Sequence, residues 1–296
     1  MEKYVVLEKA VGETPLSCAE AWRKVNPAYA NSPLAYAGRL DPMASGKLLV
    51  LIGDECKNQT NYHGLDKEYE FSVLLGIGSD THDVMGRLHA GENLPSLLSS
   101  GALRAVRPSL TPSESNDGRF SDDITKDTIL TSIVKNLTGT IKLPYPHFSA
   151  KTVQGKPLHM WTLENRLHEI EIPTKESEVY ELEVTKIETI DKESLVKQAL
   201  EKVNSVPPVT ELRKALGNDF RRVDVRQDWE NIRNDDSLPE TFQIIHLRCI
   251  ASSGTYMRSL AEVIGHKLHT HGLAWHIHRT KIGTFDSKNK TWSREF

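Results

Sequence analysis

The sequence predicts an α+β fold, and three observations carry that prediction. Stretches with strand-like alternation and stretches with helical spacing follow one another irregularly, not as a regular βαβ array. KEYEFSVLL, from Lys67, places Tyr69, Phe71, Val73 and Leu75 on one face, the period of a half-buried strand. QIIHLRCIASSGTYMRSLAEVIGHKL passes from alternation at Ile245, Leu247 and Cys249 to helical spacing at Met257, Leu260, Ala261, Ile264 and Leu268. No internal repeat is visible. At 296 residues, 38% hydrophobic and 26% charged, the chain can bury a full core as one large domain or two small ones.

The elements follow in order. Residues 4–7 read as a strand, and Pro15 leads into a helix over SCAEAWRKV that ends before Asn26-Pro27. LAYAGRLDPMASG, from Leu34, reads as a loop that enters a buried strand at 48–52, closed by Gly53. Within that loop Asp41-Pro42 is turn chemistry, because Asp bonds its own backbone and Pro presets φ. After the strand from Lys67, residues from about 90 to 123 turn polar and rich in Ser, Pro and Gly, as in an insertion. A helix at about 127–137 and an alternating strand, VYELEVTKIETI, come next. Residues 191–203 put Leu195, Val196, Ala199, Leu200 and Val203 on one helical face, Pro207-Pro208 breaks that helix, and a second short helix ends at Gly217. Residues from about 191 to 240 therefore read as an inserted helical pair with a solvated charged face. The last strand-to-helix unit sets Tyr256 and Arg258 near a helix start.

Composition narrows the function classes. No stretch approaches the roughly 20 apolar residues of a membrane span, and MEKYVVLEKAVGE lacks a basic region followed by an apolar one, so no membrane role and a cytoplasmic location are expected. Three cysteines, Cys18, Cys56 and Cys249, lie far apart without C-x-x-C spacing, so they suggest reduced thiols and neither a disulfide framework nor a zinc knot. The net charge of −3 is unevenly spread: residues 241–296 hold eight Lys or Arg against three acids, a net of +5, and six of the twelve histidines. Such a segment suits a face for phosphates. His266, His269, His271, His276 and His278 lack a Cys or acid partner at ligand spacing, so no metal site is expected.

Six segments together resemble one family. YAGRLDPMASGKLLVLIG is similar to the aspartate motif of the TruB family of tRNA pseudouridine synthases, close to G-H-T-G-T-L-D-P-x-A-T-G-V-L. LEKAVGET, KEYEF, LGIGSDTHDVMG, LPYPHFSAKTVQGKPLH and SSGTYMRSLAEVIG match further family segments in the same order, from Lys9 to Phe285. "RLD…SG" also echoes the RluA-type synthases, but Pro-Met-Ala, KEYEF and TYMR favour TruB. The resemblance implies a pseudouridine-synthase fold over residues 1–285. Its central sheet would be mixed and mainly antiparallel, flanked by helices and loops, with a catalytic cleft across it. Residues 286–296 would be a short tail in place of the family's small C-terminal RNA-binding domain.

By the same resemblance the substrate is the T-loop uridine in the T-arm of tRNA, and the chain acts as a monomer without metal or cofactor. Breaking the bond from N1 to C1′ and joining C5 to C1′ requires one ionised nucleophile in a closed pocket, a part that falls to Asp41. A buried carboxylate tends to take up a proton, and a guanidinium beside it reverses this, which is the role implied for Arg258, with Asp83 holding Arg258 in turn. Tyr69 matches the tyrosine that stacks on the extruded base, with a hydroxyl near the C5 proton. Tyr256, Lys9 and Ile277 match further pocket positions. The chain departs from the family where Tyr36-Ala37 replaces His-Thr, Arg39 a small residue, Ala10 a proline, and Ser252-Ser253 Ser-Lys. Two alternatives stay open: a synthase for another RNA, and a catalytically weak RNA-binding or tRNA-folding homologue in which Tyr36-Ala37 has spoiled turnover.

Overall fold

The computed structural model of the protein describes residues 2–90, 130, 134–207 and 221–296. The polar insertion expected at about 90–123 and the helix ending at Gly217 fall outside the described residues, as does most of the helix expected at 127–137. Nine strands form the central sheet: β1 (Tyr4–Lys9), β2 (Leu34–Tyr36), β3 (Ser45–Ile52), β4 (Asp66–Leu75), β5 (Gly139–Pro144), β6 (Thr174–Asp191), β7 (Thr241–Ala251), β8 (Gly272–Asp286) and β9 (Thr291–Glu295). Their order is β1-β3-β8-β4-β7-β6-β5, with β2 paired to β3 and β9 to β8. Only the β8–β3 pairing is parallel, so the sheet is mixed and mainly antiparallel, as expected.

Helices cover the sheet. The first, α1 (Pro15–Val25), starts with Pro at its first turn and a Thr14–Ser17 capping box, which satisfies backbone donors that the helix end would leave free. Its buried residues Cys18 and Ala19 pack with Leu48 and Val50 of β3. The helices α2 (Lys192–Ser205), capped by Asp191, α3 (Arg222–Asn234) and α4 (Met257–Lys267) contribute to the main core.

Helix α2 keeps its charged Glu193, Lys197 and Glu201 exposed, as expected, and turns Leu195, Val196, Ala199 and Val203 into the main core, which Val225, Trp229 and Ile232 of α3 also join. Trp229 is fully buried, its ring 6.2 Å from that of Trp275 on β8, and its Nε1 donates to the Val84 carbonyl at 3.2 Å. β8 is a 15-residue strand inside the sheet that the sequence does not announce, because it has no steady period of two. Register shifts at Ala274/His276 and at Arg279/Lys281 explain why: each bulge adds a residue and flips the alternation.

If α2 and α3 belong to the core, Trp229→Ala should cost about 3–5 kcal/mol of unfolding free energy, as expected for an aromatic removed from a packed interior. Urea denaturation measures this, and a loss below about 1 kcal/mol would place the pair outside the cooperative unit.

Candidate active site

Asp41 sits at the apex of a turn, Asp41–Ala44, closed by the Ala44 N–H donating to the Asp41 carbonyl at 3.0 Å. The Asp-Pro pair therefore makes the turn that its chemistry predicts. Glycines flank it: Gly38 at φ +99° and Gly46 at φ +106°, both in the left-handed region that side chains avoid. At Gly46 a Cβ would lie 2.3 Å from the Arg279 carbonyl oxygen, so only glycine lets this loop meet β8. Lys9 is fully buried beneath the loop, and its ammonium donates to the carbonyls of Ala10 at 2.9 Å, Glu13 at 2.8 Å and Ala44 at 2.5 Å. Burial lowers its pKa to about 8. Sequence resemblance gives Lys9 a pocket position; the structure places it under the loop as a brace, off the cavity wall.

Arg258, second residue of α4, reaches Asp41 with a two-pronged grip. Its Nε donates to Oδ2 at 2.7 Å and Nη2 to Oδ1 at 3.3 Å. Its Nη1 donates to the Thr81 carbonyl at 3.0 Å, and Asp83 Oδ2 lies 3.7 Å from Nε. Asp83 is itself fixed, accepting from Thr81 Oγ1 at 2.6 Å and from the Met85 N–H at 2.9 Å. Burial pushes the Asp83 carboxyl above its ordinary value, against the pull of Arg258 and the Thr81 hydroxyl. Burial also works against the Arg258 cation, but the two carboxylates outweigh it and its pKa ends above the ordinary one. A planar fork shared by two acids is geometry that lysine cannot reproduce.

These groups border a cavity of about 640 Å³ in which Asp41, Arg258, Tyr36, Tyr69, Tyr256 and Ile277 all take part. Asp83 stands behind Arg258, outside the lining. The Tyr256 ring meets that of Tyr145 edge-on at 5.7 Å, and Phe148, also on the wall, carries the Arg221 guanidinium 4.2 Å above its face. Arg221 in turn grips Asp80 at 2.5 and 3.3 Å, so the segment that opens α3 braces both the cavity wall and the turn holding Asp83.

Sequence reasoning missed two wall residues. Lys67 is 4% exposed, donating to the Leu65 carbonyl and to Ser253 Oγ, and burial lowers its pKa to about 8. Arg279, counted among the basic residues of 241–296 read as a face for phosphates, is 1% exposed: its Nε donates to the Lys47 carbonyl at 2.7 Å and its Nη1 to that of Arg39 at 3.4 Å. The bulge just after it hid its inward direction. Of the charged residues on the wall, Arg39, Lys67, Arg258 and Arg279 are cations and Asp41 is an acid, a balance of +3 in a chain of net charge −3. Such a cleft draws in an anionic ligand and presents one carboxylate to it.

Residues 28–114 match the N-terminal domain of TruB family pseudouridylate synthases. A tRNA pseudouridine synthase B of Caldicellulosiruptor saccharolyticus is 25% identical over 288 residues, which cover 97% of this chain and 70% of that protein. One from Bifidobacterium longum subsp. infantis is 24% identical, with 95% of this chain and 63% of its own length covered. Among solved structures, a chain of a Cbf5-Nop10-Gar1 complex matches with a TM-score of 0.48 at 16% identity, over 95% of this chain and 49% of that one. The aspartate loop lies inside the matched segment, and the similarity to these tRNA pseudouridine synthases runs over nearly the whole chain.

Proposed function

We propose that this chain is an RNA pseudouridine synthase that isomerises the T-loop uridine of tRNA. The observation that carries the reading is the carboxylate of Asp41, gripped by Arg258 at the wall of a cationic cavity between tyrosines. The tRNA substrate is supported by the names of the relatives, tRNA pseudouridine synthases that extend beyond the length this chain covers. Asp41 acts as the nucleophile. Arg258 holds its carboxylate aimed into the cavity, and Asp83 together with the Thr81 carbonyl fixes Arg258. The uridine is extruded from its loop, because a stacked base offers the enzyme no reacting face, and its ring lies against Tyr69 with Ile277 and Tyr256 closing the pocket. Once the bond from N1 to C1′ has broken and the uracil has turned, C5 joins C1′. The C5 proton then leaves toward the Tyr69 hydroxyl. No step in this sequence calls on a metal or a cofactor.

Mapping pseudouridine in tRNA with and without the purified chain tests the substrate. A new T-loop pseudouridine is the expected result. Pseudouridine only in other RNAs would move the substrate elsewhere, and none anywhere would leave an RNA-binding homologue whose Tyr36-Ala37 no longer seats the base.

The role of Arg258 has its own test. Arg258→Lys keeps the charge and loses the fork, so kcat should fall about 100-fold, the scale of removing one preorganised electrostatic partner, with Arg258→Met lower still. Rapid-quench single-turnover rates read this directly. Equal rates for Arg258→Lys and the unmodified chain would reduce Arg258 to a structural cation.

A further inference from the structure

Tyr69 on β4 and Arg279 on β8 are direct cross-strand partners, so their side chains stand on the same face of the sheet, and both reach the cavity. Arg279 has an unusual set of contacts for so deeply buried a cation. Two of its nitrogens are taken up by main-chain carbonyls of the Asp41 loop and β3, those of Arg39 and Lys47, and no carboxylate faces it closely enough to form an ion pair among the described residues. Its third nitrogen, Nη2, is fully buried without an aligned hydrogen-bond partner among the described residues. Its direct cross-strand neighbour is Tyr69, whose hydroxyl it influences electrostatically. A buried donor left unaligned costs free energy, and contacts of this kind tighten when a substrate closes the site.

We propose that Arg279 is a positioning residue for Tyr69: held flat by the carbonyls of Arg39 and Lys47, its guanidinium steers the phenol oxygen toward the reacting base. The proposal rests on the role given to Tyr69 above and extends it to a residue outside the aspartate–arginine contact. Three charged or titratable groups face the phenol: Arg279 from β8, Cys249 from β7, and Asp41 from its loop. Burial pushes the phenol above its ordinary value, Arg279 opposes that, and Cys249 and Asp41 add to it. Arg279 is therefore the one cation of the three, placed where the oxygen must accept a proton: the C5–H bond breaks, its electron pair restores the C5–C6 double bond, the proton passes to the tyrosine oxygen in its phenolate form, and N1, freed from C1′, takes up a proton, so that the net change is an isomerisation. Because the carbonyls of Arg39 and Lys47 hold Arg279, the same loop that presents Asp41 also sets Tyr69.

The test places 3-fluorotyrosine at position 69 and follows its ionisation by ¹⁹F NMR in the full chain, with Arg279→Gln and Arg279→Lys beside the unmodified form. Removing a cation at this distance should raise the midpoint by about one pH unit or more in Arg279→Gln, with a smaller rise in Arg279→Lys. In single-turnover assays on tRNA, Arg279→Gln should slow the unmodified chain yet have no further effect once Tyr69→Phe has removed the hydroxyl. An unchanged ¹⁹F midpoint, or a full additional loss in the double variant, would overturn the proposal. So would failure of both Arg279 variants to fold, which would assign the guanidinium to the framework. The titration needs no turnover, so a chain that modifies no tRNA but shows the shifted midpoint would sink the proposed function and leave the Arg279–Tyr69 contact standing.

Discussion

A guanidinium taken out of water must be neutralised, and at Arg258 that constraint ties three separate parts of the chain together. The cation sits at the start of α4, 5% exposed, where leaving it unpaired would be prohibitive. Its partners come from the loop before β3 and from the turn after β4. Both segments also pack into the main core, through Leu40, Met43 and Ala44 on one side and Ile77 and Val84 on the other, and the shared cation, the carbonyl of Thr81 and the internal hydrogen bonds of Asp83 set how their polar groups face each other. Stability and presentation of Asp41 are in this sense one arrangement: the acid that is 39% exposed toward the cavity is also half of a buried ion pair.

The same economy appears on the other side of the loop. Lys9 beneath it and Arg279 beside it both bond main-chain carbonyls, converting a glycine-flanked turn into a rigid shelf. Gly46 permits the close approach, and its φ of +106° allows the parallel pairing of β3 with β8 at Ser45 and Gly46. Arg279, with Arg39, Lys67 and Arg258, also makes the cavity positive while the chain as a whole is slightly negative.

How much of this was legible in the sequence follows from which physical signals survive in a linear string. Strands β1, β3, β4 and β7 and helices α1, α2 and α4 could be read because their alternation or helical spacing is unbroken, and the ordered motifs marked Asp41, Asp83, Tyr69, Tyr256, Arg258 and Ile277. The long strand β8 could not, because its two bulges break the period, and with it went the inward direction of Arg279. Buried charges on strands, Lys67 above all, were hidden for a related reason: their partners are carbonyls and hydroxyls of distant segments, which no spacing rule reveals. Lys9 was flagged by its motif, yet whether it touches a ligand or braces a loop depends on the fold around it. The helix α2 showed an apolar face, but only tertiary packing tells that this face is part of the main core.

Everything proposed about the chemistry depends on Asp41 being the nucleophile and not merely the counter-ion of Arg258. The most direct measurement compares Asp41→Asn with the unmodified chain for single-turnover pseudouridine formation and for tRNA affinity on the same preparation. The amide keeps the shape of the side chain and its place on the turn while losing the nucleophilic charge. The account predicts that turnover disappears while tRNA binding stays within about tenfold. Substantial pseudouridine formation by Asp41→Asn would contradict it.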